Sequence, residues 1–185
     1  MTREWSTLAS AFEQRVLRWA FRQLGSSYVW GGKGDVRFDP VKGLRPWAIG
    51  ELLNPSRRAY DCSGLVACAL REVSGFDIRA KWNTGLMLES TKPYASRDFF
   101  HAQLRFYGPS VVNHVAFAFP SRGAWDDSVM LLEAAGAGSD AINETVAMRL
   151  GASVRYTTEG VRAGDLAAWV PLWSLGVAAG AVPKP

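Results

Sequence analysis

Apolar and polar positions divide the chain into a helical first half and a stranded second half. Leu8, Phe12, Val16, Trp19, Ala20 and Leu24 recur at helical spacing, predicting an amphipathic helix from about Ser6 to Leu24 that Gly25 ends. The pattern returns after Cys62. Leu65, Val66, Ala69, Leu70 and Val73 share one face of a second helix that opens at Cys62 or Ser63 and stops near Ser74-Gly75. Residues 76–91 are mixed, with a short helix through Leu86-Met87-Leu88. Between the two main helices, Ser26 to Gly34 is a short aromatic segment running into glycines. Asp35 to Tyr60, broken by Pro40, Gly43, Pro46, Gly50 and Pro55, reads as a long loop holding a short helix at Trp47–Leu53. Loops of that length in a compact domain are lids or binding elements about as often as surface decoration.

From Gln103 the period changes to two. Gln103–Tyr107, Val111–Phe119, Val129–Ala134, Val154–Thr157 and Leu166–Val170 read as strands. Gly108-Pro109-Ser110 is a turn, and Ser121-Arg122-Gly123 with Asp126-Asp127 forms a loop. Helices followed by consecutive strands predict an α+β fold, with N-terminal helices packed on an antiparallel sheet of about five strands. The chain of 185 residues reads as one domain, with a long insertion at 33–60 and a small, Pro-rich tail at 178–185 that is expected to fray.

Composition narrows the function. Apolar content of 48% with 21% charged residues is that of a folded globular protein. No apolar run reaches the ~18 residues of a membrane span. Residues 1–19 carry Glu4, Glu13, Arg15 and Arg18, so no signal peptide is visible. A net charge of +4 gives a mild attraction to polyanions, but the basic residues are scattered and no nucleic-acid partner is expected. The Gly31-Gly32-Lys33-Gly34 cluster lacks the Lys-Ser/Thr pair and strand-to-helix context of a phosphate loop. Cys62 and Cys68 lie about 9 Å apart along one helix, too far for a disulfide, and no zinc-binding spacing is present.

One constellation can do chemistry. Cys62 at a helix N-terminus is a candidate thiolate nucleophile, a small buried residue being the alternative. A thiolate needs a base, and only His101 and His114 are available. His101 precedes a strand with no evident partner; His114 opens one. If Val115–Phe119 and Val129–Glu133 pair tightly, Phe119 falls opposite Ser128 and His114 opposite Glu133, which becomes the candidate orienting carboxylate. A slip of one residue would turn Glu133 to the other face.

Tyr28-Val29-Trp30-Gly31-Gly32, Asp61-Cys62-Ser63-Gly64-Leu65-Val66 and His114-Val115-Ala116-Phe117 together resemble the NlpC/P60 family of papain-like cell-wall cysteine peptidases. The resemblance spans about Gln14 to Ala134. It implies Cys62 as nucleophile, His114 as base and Glu133 as third member. Tyr28 and Ser63 would serve the oxyanion or position substrate; Asp61 and Trp30 would contact substrate, core packing being the alternative for both Tyr28 and Trp30. Asp61 and Ser63 match residues that in some members hold the free amine of a stem peptide. The implied partner is the peptidoglycan stem peptide, cut at an amide, commonly between D-glutamate and the diamino acid, without metal or organic cofactor. Action on the bacterial wall suits a phage enzyme, a toxin delivered by a secretion machine or a trimmed secreted hydrolase, and a monomer is favoured. An acyltransferase or amidase on another substrate, or a degenerate wall-binding domain, are the alternatives. The chain departs from the family pattern in the 33–60 insertion, in the glutamate at the third position, and in the element expected before the histidine strand. Arg97-Asp98-Phe99-Phe100 is the nearest equivalent of that element, and Gly164-Asp165-Leu166 lies far downstream.

Overall fold

The computed structural model describes residues 3–94, 102–119 and 129–184. Helix α1 (Arg3–Phe21) buries Ala9, Phe12, Val16 and Ala20 at three- and four-residue steps, while Leu8 and Leu24 of the anticipated stripe are exposed. Glu13, buried on the same helix, accepts the backbone N–H of Trp173 at 3.2 Å. Gly25 follows with φ of 80°, the left-handed value that favours glycine, and turns the chain into β1 (Ser27–Tyr28).

The stretch 35–60, read from sequence as a loop, is largely built into the sheet. β2 (Gly32–Gly34), β3 (Val36–Asp39) and β4 (Gly43–Pro46) form an antiparallel meander, and β2 pairs on its other edge with β5 (Ala59–Tyr60). No helix forms at Trp47–Leu53. Gly50 takes a φ of 84°, and the Glu51 carboxylate, held by Arg37 and Arg45, accepts the Ala48 N–H at 2.6 Å. That carboxylate stabilises a turn rather than a helix.

Helix α2 (Cys62–Ser74) is the buried axis of the molecule, with every residue from Cys62 to Leu70 buried. Asp61 caps it, its carboxylate accepting the Gly64 N–H at 2.5 Å, and Gly75 closes it with φ of 78°. Its first turn lies directly on β2: a Cβ on Gly64 would stand 1.9 Å from the Gly32 carbonyl oxygen, and one on Gly32 would stand 2.8 Å from the Ala59 and Val29 carbonyl oxygens. Only two glycines allow this backbone-on-backbone approach.

The remaining elements are α3 (Thr84–Thr91), β6 (Gln103–Tyr107), β7 (His114–Phe119), β8 (Met130–Ala135), α4 (Glu144–Arg149), β9 (Ser153–Thr158), β10 (Leu166–Pro171) and α5 (Trp173–Ala178). Among the described residues the sheet has ten strands rather than about five, in the order β10-β6-β7-β8-β9-β1-β5-β2-β3-β4. Its first five positions are the antiparallel set anticipated from the alternation; β1 pairs in parallel with β5. Strands of two to four residues leave no periodic trace, which is why β1 to β5 escape sequence reading. After α5 the chain turns back, with Val182 buried and its N–H on the Gly176 carbonyl at 3.1 Å. Among the described residues no helix is long and apolar enough to cross a membrane.

Candidate active site

Cys62 opens α2, and its side chain meets the start of β7 and the start of α3. The sulfur lies 3.7 Å from both the Thr84 hydroxyl and the Asn113 carbonyl oxygen, and His114 is close enough to act on its titration both as a hydrogen-bonding partner and as a charge. Burial pushes the thiol up, but the hydrogen bond and charge of His114 outweigh it, and the net displacement is below the ordinary thiol value. Cys68, two turns further along the helix, has burial without such a partner and is pushed up to about 12.

His114 sits at the first position of β7. Its Nε2 is 2.7 Å from Glu133 Oε2, which leaves Nδ1 for the thiol. Burial lowers its pKa, and the bonds to Cys62 and Glu133 raise it by more, so the imidazolium is favoured. Thiol displaced down and imidazole displaced up describe one coupled pair poised toward thiolate and imidazolium.

Glu133 reaches His114 by a register different from the anticipated one. Phe119 pairs with Met130 and Phe117 with Leu132, a ladder displaced by two residues along β8, so Glu133 is level with Ala116. Because side chains alternate faces with a period of two, this displacement keeps Glu133 on the face of His114, diagonal rather than opposite. The carboxylate is fully buried and holds three further contacts. Arg162 Nε lies 2.9 Å from Oε2 and its Nη2 donates to Oε1 at 3.3 Å, while the Thr157 hydroxyl donates to Oε1 at 3.2 Å. Burial raises the Glu133 pKa, yet His114 and Arg162 bring it down to about 2. The Arg162 guanidinium is stacked over the Tyr107 ring at 5.7 Å.

Tyr28 is buried on β1. Burial, together with the charges of Cys62 and Asp61, holds its hydroxyl far above the usual tyrosine range, so it remains a proton donor. Asp61 and Ser63 flank the nucleophile candidate, and Asp61 Oδ1 and the Ser63 hydroxyl are already engaged. Lys33 Nζ lies 3.0 Å from Asp61 Oδ1 and donates to the Ser63 hydroxyl at 2.6 Å, and Ser63 donates to Asp61 at 2.9 Å. Trp30 is 49% exposed at the rim rather than packed in the core. A cleft of about 530 Å³ joins Asp61, Ser63 and Trp30, bounded also by Lys33, Phe38, Cys62, Asn83 and Val112.

His101, Asp126-Asp127 and the Arg97–Phe100 segment lie outside the described residues. Sequence reasoning missed Lys33, Thr84, Thr157 and Arg162. Only Lys33 carried a signal, as the cation of a glycine cluster set aside once phosphate binding was dismissed.

Alkylation checks the electrostatics. Cys62 is expected to react with iodoacetamide at half-maximal rate below the ordinary thiol pKa of about 8.5, with Cys68 unmodified in the folded protein. His114→Ala should move that midpoint above the ordinary value, because burial and Asp61 then act on the thiol without His114. Mass-resolved labelling across pH reads both.

No family model matches the chain, and no curated protein matches it. Solved structures do. The chain is similar to the P60 domain of the M. avium paratuberculosis antigen MAP1272c, at 17% identity and TM-score 0.52, over 90% of this chain and 96% of that one. It is also similar to the P60 domain of the M. avium subspecies paratuberculosis antigen MAP1204, at 20% identity and TM-score 0.50, over 89% and 96%. RipD from Mycobacterium tuberculosis, described as a non-catalytic NlpC/p60 domain adapted to peptidoglycan binding, aligns at 19% identity and TM-score 0.48, over 86% and 95%. The fold is that of P60 domains.

Proposed function

We propose that the chain is a cysteine hydrolase of the NlpC/P60 family that cleaves an amide of the peptidoglycan stem peptide, the D-glutamyl bond to the diamino acid being the leading target. The observation that carries the reading is the relay from Cys62 at the start of α2, through His114, to the buried Glu133. A displaced thiol alone is common at helix N-termini; a thiol at a cleft, backed in sequence by an imidazole and a carboxylate, supplies the parts of nucleophilic acyl transfer.

The Cys62 thiolate attacks the substrate carbonyl, and the developing oxyanion meets the N–H groups of Cys62 and Ser63, which have no intrahelical acceptor, with the Tyr28 hydroxyl as a further donor. The Gly64 N–H is unavailable, being held by Asp61. The His114 imidazolium then protonates the departing amine, leaving a thioester on Cys62. Neutral His114 next takes a proton from water, whose oxygen attacks the thioester and frees the acid and the thiol. Glu133 fixes the ring and stabilises its charged form. A full carboxylate beside histidine is tempered here by Arg162, whose charge acts against the imidazolium.

Digestion of purified sacculi followed by mass analysis of released muropeptides tests the reading. The expected products carry one new amine and one new carboxyl at a stem-peptide bond, and their masses identify that bond. Sacculi left intact by protein whose Cys62 alkylates normally would overturn it. Binding to sacculi without product release would instead favour a wall-binding domain.

A further inference from the structure

The carboxylate and hydroxyl on either side of Cys62 form a cage for an ammonium group, and the protein fills it itself. Lys33 is 3% exposed, and its Nζ sits 3.0 Å from Asp61 Oδ1 and 2.6 Å from Ser63 Oγ at the wall of the cleft. Its backbone cannot retreat. Lys33 is paired with Val36 on one side and Tyr60 on the other, its carbonyl accepts from Arg79 Nη1 at 3.2 Å, and β2 is pressed onto α2 through Gly32 and Gly64. The remaining charges at the cleft are also paired internally: Arg37 with Glu51, and Asp39 with Arg45.

We propose that Lys33 permanently occupies the ammonium position beside the nucleophile, so that the cleft takes stem peptides whose amino end is already in amide linkage and gives no preference to a free amino terminus. A substrate ammonium could take Asp61 Oδ1 or Ser63 Oγ only by expelling that of Lys33, leaving a buried cation without a partner, and at Asp61 Oδ2 it would share one carboxylate with the Lys33 charge, which repels it. An amide-linked end brings no charge and requires neither. The rest of the wall, with Trp30, Phe38 and Val112 beside polar Asn83 and Asn113, suits such a neutral, partly apolar chain. The selectivity rests on the stem-peptide reading of the cleft, while the occupation of the cage by Lys33 stands on geometry alone.

Calorimetric binding of a stem tripeptide and its N-acetylated twin to the Cys62→Ala variant tests this without requiring turnover. The two peptides are expected to bind within about threefold of each other, and a second substitution, Lys33→Ala, is expected to shift the ratio by at least about tenfold toward the free amine. A preference of about tenfold or more for the free amine in Cys62→Ala alone overturns the inference, as does binding of neither peptide. An unchanged ratio in a folded double variant removes Lys33 from the explanation. Should the double variant not fold, the single variant decides. Equal binding of both peptides beside undigested sacculi would sink hydrolysis and leave this inference standing; digestion beside a strong free-amine preference would do the reverse.

Discussion

Cys62→Ala is expected to lower muropeptide release from sacculi by at least about 10⁴-fold, while changing the unfolding midpoint by only about 2–4 °C. The large effect follows from chemistry: no other group at the cleft forms the thioester, and Cys68 is held protonated by burial. The small one follows from packing, since removing one sulfur from a buried site costs on the order of 1 kcal/mol. His114→Ala should be nearly as severe, and the double variant no worse than either single one, because the two side chains act as a unit. Release rates and thermal unfolding on the same samples separate lost chemistry from lost fold. Wild-type rates in Cys62→Ala would remove this thiol from the reaction, and a matching loss in Cys68→Ala would implicate the other one.

Glu133 carries the second large effect, on stability as well as rate. Glu133→Ala leaves the Arg162 guanidinium and His114 facing a hole, and breaking a buried ion pair from one side costs about 3–5 kcal/mol. The pH dependence has a definite sign. The folded carboxylate titrates near 2, below its ordinary value of 4.5, so it stabilises the fold above that ordinary value and loses this contribution as pH falls toward 2. The difference corresponds to about 3 kcal/mol. Chemical denaturation of wild type and Glu133→Gln should show a gap at neutral pH that narrows below about pH 4 and closes near pH 2. A gap independent of pH would mean that the side chain contributes by packing rather than charge. Hydrolysis by Glu133→Gln should fall by about 10²-fold, the lower end expected for impaired acid–base transfer.

The sequence was most legible where a pattern repeats over many residues. The limits of α2, from Cys62 to Ser74, follow from its apolar face and Gly75, and the strands from Gln103 to Thr158 follow from alternation. The Cys62–His114 meeting was legible because the motifs that carry the family resemblance set one at a helix start and the other at a strand start, which separated them from Cys68 and His101. Glu133 was found through a register that differs from the observed one, and survives because the displacement is even. Arg162 was not legible at all: it stands 29 residues from Glu133 in sequence, beyond a turn with no motif, and only the folding of β9 and β10 brings it back. Lys33 escaped for a related reason. A lysine among glycines suggests a ligand in solution, whereas its partner is the carboxylate capping the next helix.

The contact between Gly32 and Gly64 has a further consequence. Main chain bears on main chain there, so the distance from the sheet to the first turn of α2 is set by atoms that every residue shares, with no rotamer in between. Side chains elsewhere in the core meet through rotamers and can change size and resettle. The sulfur of Cys62 is mounted on a hard stop. Drift in this chain can therefore run deep through its interior while the spacing of its chemistry stays constant, and any single methyl group added at either glycine ends that tolerance at once.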